Sequence, residues 1–135
     1  MADARNTVLA YLSAMERRDM AAARRYCAPS VEFVFPGGRR PESLDGIVAN
    51  TGRRYREVHK DIEGVDVVEH VDYSIAYVYG TLHGTWTDGA KFSGIRFVDR
   101  FELRDHLIAR QWVWNDSAEA RAAREAAAVS SGTGR

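Results

Sequence analysis

Gly94-Ile95-Arg96-Phe97-Val98-Asp99-Arg100-Phe101-Glu102-Leu103 alternates with the two-residue period of a β-strand. One face carries Ile95, Phe97, Asp99, Phe101 and Leu103, and the other carries Arg96, Val98, Arg100, Glu102 and then Arg104. Asp99 is thus the one charged residue on an otherwise apolar face. An unpaired buried carboxylate costs several kcal/mol. Asp99 must therefore look into a cavity, be protonated, or be tied as a structural group to a hydroxyl, a Trp N–H or an Arg.

Strands flank this one on both sides. Residues 62–71 and 73–86 alternate, with Gly64 a candidate bulge, and Thr87-Asp88-Gly89-Ala90 is a hairpin turn into 91–104. Arg104-Asp105-His106 turns the chain into 107–115. Tight turns between long strands predict an antiparallel meander. Ala76, Val78, Gly80, Leu82 and Gly84 share one side of their strand and are placed inward, where small residues leave room for a ligand. His83 then faces outward. In the last strand Arg110, Trp112, Trp114 and Asp116 share a side, opposite Gln111, Val113 and Asn115. The tryptophan side reads either as an amphipathic wall of the site or as core packing with a salt bridge at its ends.

The first half of the chain reads as helices around a short strand. Residues 4–17 place Val8, Tyr11, Leu12 and Met15 on one helical face. Asp19 caps a second helix, 20–27, which Pro29 stops. Residues 31–35 form a strand with Val31, Phe33 and Phe35 on one face, closed by Pro36-Gly37-Gly38. Asp45 caps a third helix over 46–59, which brings Tyr55 and His59 to one side. His59 is read as a helix-end residue near free carbonyls or as a site residue. Helices ahead of an antiparallel sheet predict an α+β fold, the helices packed on one sheet face and a cavity between if the sheet curls into a cone. One domain is expected over residues 1–120, with 121–135 a helix-prone segment running into a disordered tail.

Composition narrows the function. At 135 residues and 45% hydrophobic, the chain can bury about two-thirds of its unfolded surface, enough for a core and a modest pocket. Nineteen basic and nineteen acidic side chains cancel, which disfavours nucleic acid or an anionic membrane as partner. Lys60 and Lys91 are the only lysines. Cys27 stands alone and reads as a small buried apolar residue. The four histidines lack ligand spacing and no Gly-rich phosphate loop is present, so neither metal nor cofactor is expected. With no signal-like or membrane-length apolar stretch, a cytoplasmic protein is expected.

The order of elements resembles the nuclear transport factor 2-like superfamily, the cone fold of ketosteroid isomerase and the SnoaL-like polyketide cyclases. The resemblance covers residues 4–120. It rests on Leu9-Ala10-Tyr11-Leu12, Arg18-Asp19-Met20, Pro29-Ser30-Val31, Leu44-Asp45-Gly46-Ile47, Gly80-Thr81-Leu82-His83-Gly84, Phe97-Val98-Asp99-Arg100-Phe101 and Trp114-Asn115-Asp116. It implies Tyr11 and a protonated Asp99 as the isomerase's oxyanion hole, with Phe35 where that enzyme keeps its base. Asp116 resembles a carboxylate of the related epoxide hydrolase, and Leu82 stands where the cyclases carry His. The catalytic set implied is Asp99, Tyr11 and Asp116. Around them come Phe33 and Phe35, Tyr55 and His59, Leu82, Phe97 and Phe101, and Trp112 and Trp114.

Three functions fit these residues. The first is an enzyme doing acid/base cyclisation, isomerisation, dehydration or hydrolysis on a small apolar carbonyl, polyketide-like or steroid-like compound. The second is a non-catalytic ligand-binding protein, and the third a dimerisation scaffold. A homodimer through the outer sheet face is expected, because Arg96, Val98, Arg100 and Glu102 lie beside Tyr77, Tyr79, Thr81 and His83.

Overall fold

The computed structural model describes residues 3–133. The elements run α1 (Ala4–Glu16), α2 (Met20–Arg25), β1 (Cys27–Val34), a 3-10 turn (Pro36–Gly38), α3 (Leu44–Gly52), β2 (Tyr55–Glu69), β3 (Ser74–Trp86), β4 (Lys91–Arg104), β5 (Leu107–Asn115) and α4 (Ser117–Thr133). The five strands make one curved sheet in the order β1-β5-β4-β3-β2. β2 to β5 form the antiparallel meander that the turns predict, and β1 joins its edge parallel to β5. The fold is α+β, with α1 and α3 packed against the sheet.

Each helix begins at a side-chain cap. Asp3 accepts from the Asn6 N–H, Asp19 from Ala22, and Ser43 from Gly46. α1 buries Val8, Tyr11, Leu12 and Met15, as its spacing predicts. It ends with Arg18 in the left-handed region (φ 61°) and the Asp19 N–H bonded back to the Ala14 carbonyl at 2.9 Å. Tyr11 meets Phe101 edge-on at 5.8 Å, which ties α1 to the centre of the sheet.

Two expectations are corrected here. α2 stops at Arg25, and Pro29 lies within β1, where the pairing with β5 shifts register between Cys27 and Glu32. α3 is capped by Ser43, not Asp45, and ends at Gly52. Tyr55 and His59 therefore belong to β2, where His59 pairs opposite His83. α4 continues to Thr133, past the end of the alanine-rich run.

Bulges bend the sheet. β2 shifts register at Arg56 and again at Glu63, next to the glycine expected to mark a bulge. Where β2 folds over β3, a Cβ on Gly80 would strike the Asp61 carbonyl, and one on Gly84 the Glu57 carbonyl. Both glycines do face inward, but their missing side chains make room for the β2 backbone and not for a ligand.

Candidate functional site

The inward set of β4 is the one its alternation predicts: Ile95, Phe97, Asp99, Phe101 and Leu103 are all buried. A cavity of about 240 Å³ opens between this face and helices α1 and α3. Its apolar walls include Leu12, Phe35, Ile47, Tyr55, Leu82 and Phe97, and its polar points include Tyr11, Lys60, Gln111 and Asn115.

Asp99 is fully buried and lies behind this lining. Its Oδ2 accepts a 2.5 Å hydrogen bond from Lys60 Nζ, while Oδ1 has no hydrogen-bond partner. Lys60 is the intermediary between cavity and carboxylate, since its side chain lines the cavity and keeps 27% of its surface exposed. Strand register shows how it gets there. Lys60 pairs with Leu82, Asp99 pairs with Val78, and the row between carries Gly80 and Phe97. The lysine crosses that row with Nζ 4.5 Å above the Phe97 ring, unobstructed by any side chain from Gly80.

The electrostatics are those of a strained acid. Burial pushes the Asp99 carboxyl above its ordinary value, and the Lys60 charge and hydrogen bond pull back without cancelling it. Gln111 also favours the charged form, although no hydrogen bond of ordinary geometry reaches Oδ1. Tyr11 does not bond to Asp99. Its hydroxyl donates to Gln111 Oε1 at 2.8 Å. Burial, followed by the nearby Cys27 and Asp99, raises the Tyr11 hydroxyl well above its ordinary value, so it stays a donor.

The other expected site residues divide. Phe35, Tyr55, Leu82 and Phe97 line the cavity with Tyr11. Phe33 and Phe101 are core residues, 3% and 0% exposed. His59 lies outside the lining, with Nδ1 3.1 Å from Glu16 and its ring stacked on His83. Trp112 and Trp114 sit on the sheet's outer side, against the expectation that they wall the site. Asp116 is also outside, bonded to Arg96 at 2.5 Å. The residues missed by the sequence include Lys60, Gln111, Val113 and Asn115.

Among the described residues no group of three or more His, Cys, Asp or Glu side chains could hold a metal ion. No described helix is long and apolar enough to cross a membrane.

The SnoaL-like domain family matches residues 8–111. No curated protein matches the chain. Among solved structures, an NTF2-like protein of unknown function from Burkholderia pseudomallei superposes with a TM-score of 0.71 at 20% identity, covering 89% of this chain and 95% of its own. TerC, co-crystallised with polyporic acid, has a TM-score of 0.68 at 21% identity, covering 85% and 92%. A Pseudomonas putida protein named as a polyketide cyclase has a TM-score of 0.63 at 17% identity, covering 84% and 92%.

Proposed function

Given that this chain belongs to the SnoaL-like domain family, we propose that it is an enzyme performing acid/base chemistry on a small, largely apolar carbonyl compound held in the cavity. The observation that carries this is the Lys60–Asp99 pair, a cavity-lining amine backed by a buried carboxylate that burial pushes toward its protonated form. Lys60 is the group that touches substrate. It passes one proton to Asp99, and the free amine then takes the proton from the carbon beside the substrate carbonyl. The C–H electron pair moves into the enolate, and the new ammonium stands beside the enolate oxygen. Return of the proton at another atom completes an isomerisation, and attack of the enolate carbon on a second carbonyl, whose oxygen takes the ammonium's proton as its π bond opens, completes a cyclisation. Asp99 acts through Lys60 as a positioning residue and proton store, and Tyr11 holds Gln111 in place.

The names carried by neighbours of this fold, a polyketide cyclase and a protein crystallised with polyporic acid, support a ring-bearing ligand class. The test is deuterium incorporation from D2O into a panel of cyclic and aryl ketones, followed by NMR. The wild type should exchange the protons beside the carbonyl, and Lys60→Met should not. Exchange no faster than in buffer for every ketone would contradict the enzyme reading.

A binding role without turnover is the second reading, and Phe35 at the position of the isomerase base favours it. Ligands that bind without exchange would support it. The outer sheet face also supports a homodimer: Tyr79, Val98 and Trp114 are register neighbours across three strands and all exposed.

A further inference from the structure

Arg39 and Arg54 line the cavity from separate elements, and Arg121 stands near enough for its charge to act on one of them. Arg39 follows the 3-10 turn, Arg54 follows α3, and Arg121 stands on the first turns of α4. Arg39 and Arg54 line the cavity beside Phe35, Pro36 and Tyr55. Arg39 is held by one hydrogen bond, from Nε to the Pro36 carbonyl at 3.3 Å, which leaves its terminal nitrogens toward other partners. Arg121 Nε is buried and has no hydrogen-bond partner. Among the described residues, no carboxylate lies within ion-pair distance of any of the three.

Elsewhere Arg24, Arg96, Arg104, Arg110 and Arg124 each have an acidic partner; what sets Arg39 and Arg54 apart is that they line an apolar cavity without one. The three charges act on one another: after burial, the positive charges of Arg39 and Arg121 push the Arg54 guanidinium below its ordinary value. Like charges gathered at the edge of an apolar cavity repel one another, and an anion placed among them removes that cost.

We propose that Arg39 and Arg54 form an anion subsite at the cavity rim, and that the natural ligand is a ring-bearing apolar molecule with a carboxylate. Its anionic end rests on the guanidiniums and its carbonyl points inward to Lys60. The planar guanidinium fork matches a carboxylate in two parallel hydrogen bonds. The adjoining walls, Phe35 and Tyr55, suit a ring more than a polyphosphate. The inference rests on the cavity being the ligand site, as proposed above, and it adds the charge of that ligand.

Calorimetric titration with 2-naphthoate and with neutral 2-naphthamide tests it, since the two share a ring system and differ in charge. Naphthoate should bind about 10-fold more tightly than the amide, the effect of one charge-assisted contact. Arg54→Gln and Arg39→Gln should each weaken naphthoate binding more than amide binding and so shrink that preference. Raising salt to about 0.5 M should shrink the preference in the wild type. Arg54→Gln should melt no lower than the wild type, because it relieves repulsion. Equal affinity for the two probes, or a preference that neither substitution shrinks, would overturn the anion subsite while leaving the apolar cavity standing. A clear loss of melting temperature in Arg54→Gln with the preference intact would also overturn it. Failure of both probes to bind would contradict the cavity reading itself, and the subsite with it.

Discussion

The two members of the Lys60–Asp99 pair should differ sharply in what their removal costs. Lys60→Met keeps the apolar stem and deletes the charge, leaving both Asp99 oxygens without a donor in a site with no exposed surface. Breaking a buried pair from the charged side that stays behind costs about 3–5 kcal/mol. The lower end applies here, about 3 kcal/mol at pH 7, because Asp99 can escape by taking up a proton. Asp99→Asn leaves Lys60 instead, whose side chain reaches the cavity and keeps some solvent. That variant should fall within about 1 kcal/mol of the wild type, since it also removes the burial cost of the carboxylate. The pH dependence follows from the sign of the Asp99 shift. Its folded value is raised above the ordinary 3.8. Its favourable contribution is thus fully present below 3.8 and is lost as pH rises through the folded midpoint. In Lys60→Met the midpoint moves higher still, so stability should recover on acidification at up to about 1.4 kcal/mol per pH unit through that window. Urea denaturation of the wild type, both single variants and the double variant from pH 4 to 8 measures all of this. Asp99→Asn proving the more destabilising at pH 7, or Lys60→Met showing no gain on acidification, would refute the reasoning.

Three further outcomes are expected. Sedimentation should show a dimer at about tens of micromolar, a working range for an interface of standard size, and Trp114→Glu should yield monomer because Trp114 is the most exposed of the outer aromatic stripe. Gly80→Ala and Gly84→Ala should each cost about 1–3 kcal/mol by overpacking against β2 carbonyls, seen as a melting temperature several degrees lower, whereas Gly52→Ala, which meets open space, should not destabilise. Cys27, pushed up to about 11 by burial, should react with iodoacetamide far more slowly than a free thiol at pH 8, and its rate should climb as the pH approaches that value.

Much of the fold is written in local pattern. β4 alternates cleanly, its hairpin turn carries Asp88-Gly89, and α1 shows its buried stripe, so these elements come directly from the residues. The site is less legible, and a bulge explains why. Arg104 pairs with Leu107 and Leu103 with Ile108, a register that continued unbroken would set Trp112 opposite Asp99. An extra residue, Ala109, enters before Glu102 pairs with Arg110, so Asp99 faces Val113. That single residue turns Trp112 and Trp114 outward and Gln111, Val113 and Asn115 inward. Lys60 was hidden by a related ambiguity. Tyr55 and Val58 are three apart and fit a helix, which masks the strand alternation of Val58, Lys60 and Ile62. A lysine between two β-branched residues on one strand face was the signal available, in a chain with only two lysines. The arginine cluster had no such signal, because its members lie on three elements that meet only in the folded chain.

The most direct measurement is an NMR titration of the Asp99 carboxyl carbon in the wild type and in Lys60→Met, assigned through Asp99→Asn. The account predicts a wild-type midpoint above 3.8, the direction set by burial, and a higher one once the Lys60 charge is gone. A wild-type midpoint at or below 3.8 would make Asp99 an ordinary paired carboxylate and contradict its role as the proton store behind Lys60.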